Sequence, residues 1–288
     1  GKDLPAWSGP DVAALCEALD HPPPPTFEGL RPLLEDFDGL PEPELPPDLT
    51  ATLRDYQRQG VAWLGFLRQA QLGALLADDM GLGKTLQVIA LLVYLKDSGK
   101  LDTSRALVVV PTSLLSNWRH EIERFAPTLR VQIFHGMGRE LELDAHDVIL
   151  TSYGLVRSDA KVLGKPRWTV LAIDEAQNIK NPTAAQTKAI KRVKADIRIG
   201  LSGTPVENRL REYWSVFDFI NPQYLGSQKR FARSFANPIE RERDQAALDR
   251  FRAITAPFIL RRLKTDRSII ADLPDKIESN RYCALTPK

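Results

Sequence analysis

From Gly73 to Leu201 short, wholly apolar runs alternate with stretches of helical periodicity, and few folds accommodate that order. Strands are expected at 73–77, 106–110, 131–134, 147–150, 169–173 and 197–201, and helices at 85–96, 113–125, 153–162 and 184–193. The strand runs are apolar at nearly every position, so both faces of the sheet have to be covered. Strand and helix in strict alternation make an α/β fold, a parallel sheet with helices on both faces, whose ligands bind beyond the carboxyl ends of the strands.

The segment Leu-Leu-Ala-Asp-Asp-Met-Gly-Leu-Gly-Lys-Thr (75–85) falls between the first strand and the first of these helices. Unpaired N–H groups and a partial positive charge at the helix start, with Gly81 and Gly83 letting the backbone curl, suit an anion. Lys84 supplies a point charge for β- and γ-phosphates, and the Thr85 hydroxyl suits a magnesium ion. The usual phosphate-loop pattern opens with glycine, where this chain has Asp78.

Asp174 and Glu175 directly follow the strand at 169–173, which sets them at the same carboxyl edge. Asp174 is expected to hold magnesium through its water and Glu175 to orient or deprotonate an attacking water. Ser202, Gly203, Thr204 and Pro205 end the next strand with two hydroxyls and a turn that can sense a γ-phosphate. Pro111-Thr112 and Thr151-Ser152 are expected after the second and fourth strands, offering hydroxyls and backbone donors to nucleic-acid phosphates. His120-Glu121 opens like a zinc-protease helix, but Arg124 stands where the second histidine belongs. The aromatic run Tyr213, Trp214, Phe217 and Phe219 keeps helical spacing and is expected in the core, not as a base-stacking platform.

Charge divides the chain. Residues 1–52 carry a net −9 and eleven of the 21 prolines, and the remaining residues carry a net +11. An acidic, proline-rich leader or linker at 1–52 is expected, within which 11–19 has the spacing of a short helix. A lobe at 53–225 follows, and then a helical extension at 226–288 with fourteen basic against eight acidic residues. In that extension Leu-Arg-Arg-Leu-Lys-Thr-Asp (260–266) is the densest basic patch, with a solvated helix end as its simplest structure. The basic body suits a phosphate-backbone partner. Two distant cysteines and no apolar run of about eighteen residues favour a reducing, cytoplasmic setting and no membrane.

Seven segments in order resemble the Swi/Snf-related ATPases, double-stranded-DNA translocases of the helicase superfamily. They are Leu-Arg-Asp-Tyr-Gln (53–57), Asp-Met-Gly-Leu-Gly-Lys-Thr (79–85), Val-Val-Val-Pro-Thr-Ser-Leu-Leu-Ser-Asn-Trp (108–118), Thr-Ser-Tyr (151–153), Asp-Glu-Ala-Gln-Asn-Ile-Lys-Asn (174–181), Leu-Ser-Gly-Thr-Pro-Val-Glu-Asn (201–208) and 260–266. The resemblance implies a RecA-like lobe in which Gln57 reads adenine and Met80, Gly81, Leu82, Gly83, Lys84 and Thr85 hold ATP and magnesium. It also implies that Asp174 and Glu175 organise hydrolysis, and that Gln177, Ser202 and Thr204 couple it to DNA. Gln177 stands where many members have histidine, a variation that resembles the bacterial branch, and a cytoplasmic, nucleoid-associated protein is expected. Such motors clamp ATP between two lobes, the second supplying arginine fingers, so a longer motor with a second lobe after Lys288 is expected, with or without a protein partner. The competing reading is a DNA- or protein-interaction module that keeps ATP only as a ligand.

Overall fold

The structure, a computed structural model, describes residue 40, residues 44–203 and residues 210–266. The expected helix at 11–19, Thr204 and the last part of the extension lie outside the described residues. In chain order the regular elements are α1 (Asp55–Gln69), β1 (Ala74–Leu76), α2 (Lys84–Asp97), β2 (Ala106–Val110), α3 (Leu115–Phe125), β3 (Val131–Ile133) and β4 (Val148–Ser152). They continue with α4 (Tyr153–Ser158), α5 (Ala160–Leu163), β5 (Trp168–Ile173), α6 (Ala185–Arg192), β6 (Ala195–Leu201), α7 (Leu210–Ile220), α8 (Gln228–Phe231), α9 (Gln245–Thr255) and β7 (Ile259–Leu260).

The strands form a seven-stranded sheet in the order β3-β4-β2-β5-β6-β1-β7, and every described pairing is parallel. The continuous apolar runs explain this. Each residue of β1, β2, β4 and β5 is buried, so neither face of the sheet's centre meets water, and helices lie over both. α2 is apolar nearly all round and buried from Gln87 to Val93. Fully buried Trp63, Trp118 and Trp168 lock α1, α3 and β5 into one core, each such side chain contributing about 1.5–3 kcal/mol.

The chain enters β1 through a tight junction. A Cβ at Gly73 would lie 2.1 Å from the carbonyl oxygen of Ile220, and the Asn221 side chain closes the contact by accepting from the Gly73 N–H (2.8 Å) and donating to its carbonyl (3.2 Å). The end of α7 therefore fixes where β1, and the loop after it, begins.

Three sequence expectations change. β4 runs to Ser152, because Thr151 and Ser152 pair in register with Val109 and Val110. The expected helix at 153–162 breaks at Asp159 into α4 and α5. Residues 44–52 pack on the lobe, with Leu45 and Leu49 against Leu53, Val61 and Ala90 and Thr50 hydrogen-bonded to Arg124 and Phe125 of α3. The leader's end thus belongs to the lobe. The segment after residue 226 is helical, as expected, and joins the main core: Phe231, Phe235, Phe251 and Phe258 enter it, Phe258 edge-on to Phe217 and Tyr224. This extension includes two π-helical turns, Ala232–Ala236 and Pro238–Glu242, and closes with β7, which adds an edge strand beside β1. The aromatic run of α7 is core, as its spacing implied.

Candidate functional site

Apolar β1 delivers the chain to the sheet's carboxyl edge, and Lys84 starts α2 there. The turn between them needs left-handed backbone at Gly81 (φ 81°) and Gly83 (φ 77°). The φ of Gly83 demands glycine, and a Cβ there, 2.4 Å from Gln57 Nε2, would also push the Gln57 amide off the loop. Tyr56 and Gln57 of α1 brace the turn, both donating to the carbonyl of Leu82, at 3.1 and 3.3 Å. Gln57 Oε1 also accepts the N–H of Arg54, closing the start of its own helix (2.9 Å). Met80, 66% exposed, stands at the mouth of the loop.

The Lys84 ammonium reaches back over the turn to the carbonyls of Asp78 (2.6 Å) and Asp79 (3.1 Å). Burial lowers its pKa, opposed by the carboxylates of Asp78, Asp174, Glu175 and Asp79. A partly desolvated cation at the start of a helix is poised for an anion that would complete its solvation.

Asp174 follows β5 without a break. Trp118 Nε1 donates to its Oδ2 (2.8 Å) and the Glu175 N–H to its Oδ1 (2.8 Å). Burial nevertheless raises the Asp174 carboxyl above its ordinary range, outweighing these donors and Lys84. Glu175 adopts left-handed backbone, φ 53° and ψ 57°, a conformation costing a non-glycine residue about 1–2 kcal/mol. Tyr153 holds it there through hydrogen bonds to the carbonyls of Asp174 (2.5 Å) and Glu175 (3.3 Å). Beyond it a side-chain relay crosses to the next strand: Gln177 Nε2 donates to Glu175 Oε2 (2.5 Å), and Ser202 Oγ donates to Gln177 Oε1 (3.1 Å).

These pieces line one cavity of about 300 Å³, walled by Gly81, Gly83, Lys84 and Thr85 on one side and by Asp174, Glu175 and Gly203 on the other. Asn117 and Glu121 of α3 complete it, and burial raises the Glu121 carboxyl against the donor Asn117.

Among residues expected at the site from sequence, Gly81, Gly83, Lys84, Thr85, Asp174 and Glu175 converge on this cavity, with Gln177 and Ser202 in the relay behind it. Pro111 is half-buried and Thr112 exposed just past β2. Thr151 departs from expectation. It lies inside β4, fully buried, and its hydroxyl donates to the Phe134 carbonyl (3.0 Å), so it offers no free hydroxyl at the edge; Ser152 is nearly buried beside it. Among the described residues no group of three or more His, Cys, Asp or Glu is placed to hold a metal ion.

Trp118, Tyr153, Asn117 and Glu121 went unassigned by sequence reasoning. A signal existed for Trp118, since a buried indole N–H needs an acceptor. Asp78 and Arg262 also went unassigned. Asp78 is fully buried and receives Arg262 Nε at 2.9 Å and Nη2 at 2.5 Å. The basic patch at 260–266 is therefore partly internal, not a solvated helix end.

Comparison with known proteins places these residues in a family context. The model of the SNF2-related domain matches residues 56–288. The putative ATP-dependent helicase/translocase YwqA of Bacillus subtilis is 45% identical over 86% of this chain and 28% of its own length. The TATA-binding protein-associated factor MOT1 of Saccharomyces cerevisiae is 39% identical over 84% of this chain and 14% of its own. A solved Sulfolobus solfataricus SWI2/SNF2 ATPase core in complex with double-stranded DNA superposes with a TM-score of 0.76 at 46% identity, covering 86% of this chain and 52% of that one. The chain thus spans about half of that solved core and less than a third of these curated relatives. With a RecA-like parallel sheet, a phosphate-type loop facing a strand-ending Asp-Glu pair, and a family match over most of its length, the chain belongs to the SNF2-related ATPase family.

Proposed function

We propose that this chain is the ATP-binding first lobe of a DNA-dependent ATPase that translocates on double-stranded DNA, remodelling or displacing what is bound there. The observation that carries the reading is the single cavity in which Lys84 and Thr85 face Asp174 and Glu175, residues some ninety positions apart in sequence. ATP phosphates take the place now filled by the Asp78 and Asp79 carbonyls on Lys84, while Gln57, already against the loop, faces the base. Glu175, held by Tyr153 and Gln177, orients the attacking water and takes its proton. Gln177 and Ser202 transmit the state of Glu175 to β6, and Thr204 is assigned to the same coupling from its sequence motif alone.

The donor set fits magnesium: a hydroxyl and a carboxylate, both hard oxygen ligands, too few to cage an ion without waters and substrate phosphates. Thr85 and Asp174 would hold it. Bound there, the ion would supply charge neutralisation at the ATP phosphates. It also accounts for a buried carboxylate with so few donors, because a cation beside Asp174 restores the ionised form.

DNA contact is assigned to backbone phosphates at Pro111 and Thr112, just past β2, with Ser152 at the end of the neighbouring strand β4. Such binding weakens steeply with salt and ignores sequence. A second RecA-like lobe supplies the arginine fingers, worth roughly three to five orders of magnitude in rate, so these residues alone bind nucleotide weakly and hydrolyse almost none. The reading also carries the setting: a cytoplasmic protein at the nucleoid.

Lys84→Ala tests it. In the protein containing this chain, magnesium-dependent ATP binding and DNA-stimulated hydrolysis should both disappear while the circular dichroism spectrum is kept. Unchanged hydrolysis defeats the assignment; nucleotide binding without DNA-stimulated turnover in the wild type would favour the interaction-module reading.

A further inference from the structure

The basic patch at 260–266 runs along the phosphate loop. β7 pairs with β1 in parallel, Ile259 opposite Leu75 and Leu260 opposite Leu76, and the contact continues past the strands. Ala77 N–H donates to the Leu260 carbonyl (2.7 Å) and Asp79 N–H to the Arg262 carbonyl (3.0 Å). In return, Arg262 N–H donates to Asp78 Oδ1 (3.0 Å) and Lys264 N–H to Asp79 Oδ2 (3.0 Å). The two residues whose carbonyls seat the Lys84 ammonium are those that this segment grips.

The Arg262 side chain, 6% exposed, reaches each of the loop's supports. Its fork meets both oxygens of Asp78, Nη2 also donates to Gln87 Oε1 (2.7 Å), Nη1 to the Tyr56 carbonyl, and the guanidinium stacks 4.9 Å from the Tyr56 ring centroid. Gln87 in turn donates to the Gly83 carbonyl (3.4 Å), and the Tyr56 hydroxyl to that of Leu82 (3.1 Å). Gly60 leaves the room: a Cβ there would lie 1.9 Å from Gln87 Oε1 and 3.0 Å from Arg262 Nη2.

We propose that Arg262 is a positioning residue of the nucleotide site, and that docking of the 259–264 segment and nucleotide binding at the phosphate loop are one coupled equilibrium. Asp78, standing where a phosphate loop usually opens with glycine, is the reason. A buried carboxylate is tolerable only while its guanidinium partner is in place. When the segment leaves, Asp78 must find water, and the turn that carries Asp79 to Gly83 goes with it. By reciprocity, nucleotide held by that turn tightens the segment's docking by the same factor that docking tightens nucleotide. The chain leaving the lobe toward residue 266 thereby reports the occupancy of the loop.

The inference rests on the loop being an ATP site, and its test separates the two. A fluorescent non-hydrolysable ATP analogue with magnesium is titrated into the protein carrying this chain, into Arg262→Met, and into Asp78→Gly combined with Arg262→Met. The single variant should bind at least about fivefold more weakly. The double variant, with no buried charge to satisfy, should return to within about threefold of the wild type. Hydrogen exchange on the wild type needs no variant: the amides of Ala77, Asp79, Arg262 and Lys264 should slow on adding the analogue, and in the double variant Arg262 and Lys264 positions should lose that response. Wild-type affinity in the single variant, or nucleotide-insensitive exchange at residues 262 and 264 in a wild type that binds the analogue, overturns the coupling. No analogue binding by the wild type overturns the ATP reading instead.

Discussion

Asp78 and Asp174 stand at the same edge of the sheet, one just beyond β1 and the other directly beyond β5, yet their surroundings make them different instruments. Asp78 is sealed from solvent and matched by the fork of Arg262, the amide of Gln87 and the N–H of Arg262. Asp174 has an indole N–H and one main-chain N–H, opens on the cavity, and is pushed up by burial. A fully matched carboxylate holds structure and has little left to offer a ligand. An under-matched one carries a standing cost that a cation relieves, and chemistry is found where that cost is found.

The contrast can be broken by substitution. The largest effect belongs to the residue beside Asp174: Glu175→Gln should reduce ATP hydrolysis by about 10²–10⁴-fold with nucleotide affinity retained, because the amide cannot take the water's proton. A steady-state assay with a parallel binding titration checks it, and loss of affinity matching that of Lys84→Ala would put Glu175 in the wrong role. Next, Asp78→Ala should destabilise the protein by about 3–5 kcal/mol by leaving Arg262 buried without its partner. Asp174→Asn should leave thermal stability unchanged or slightly improved. Equal losses in a denaturation experiment would mean that both carboxylates are structural.

The opposite edge of the sheet offers a smaller, pH-dependent comparison. Asp147 is nearly buried, and burial alone would raise it. Hydrogen bonds from the side chain and N–H of Arg130 and from Lys96 outweigh that and hold the carboxyl well below its usual range. A depressed folded value means that the stabilisation is complete above the unfolded carboxyl's pKa of about 4 and is lost as pH falls from there. Asp147→Asn should cost roughly 1 kcal/mol at neutral pH and flatten the acid limb of a stability-against-pH curve between about pH 4 and 2. An unaltered limb would assign acid sensitivity elsewhere. The smallest effect concerns Trp118→Phe. Removing an N–H from Asp174 should raise that carboxyl further and move the acidic limb of the ATPase pH profile upward by less than about one unit. No movement would mean that Asp174 does not set that limb.

The sheet was legible because its signal is local: strands buried on both faces must be apolar at each position, and β2 and β5 followed their expected runs to within a residue. Lys84, Thr85, Asp174 and Glu175 were legible because strand ends in such a fold share an edge. What escaped depended on partners remote in sequence. β7 has two residues, too few to show a period, and an arginine-rich run reads as solvated until a carboxylate 184 positions away is seen to receive Arg262. Thr151 escaped for the converse reason: hydroxyl residues resemble a turn, yet here the strand continues through them and the Phe134 carbonyl accepts the Thr151 hydroxyl's hydrogen bond.

The left-handed backbone at Glu175 has a bearing on how an inactive form of this lobe would behave. A glutamate there is tolerated against the preference of its own main chain, so the position is where activity and durability pull apart. Glycine would sit at ease in the same geometry, lacking the carboxylate. Under the proposed function, Glu175→Gly would remove turnover while relieving the main-chain strain, offset in part by the lost hydrogen bond from Gln177, so a folded chain that binds nucleotide without hydrolysing it lies one substitution away.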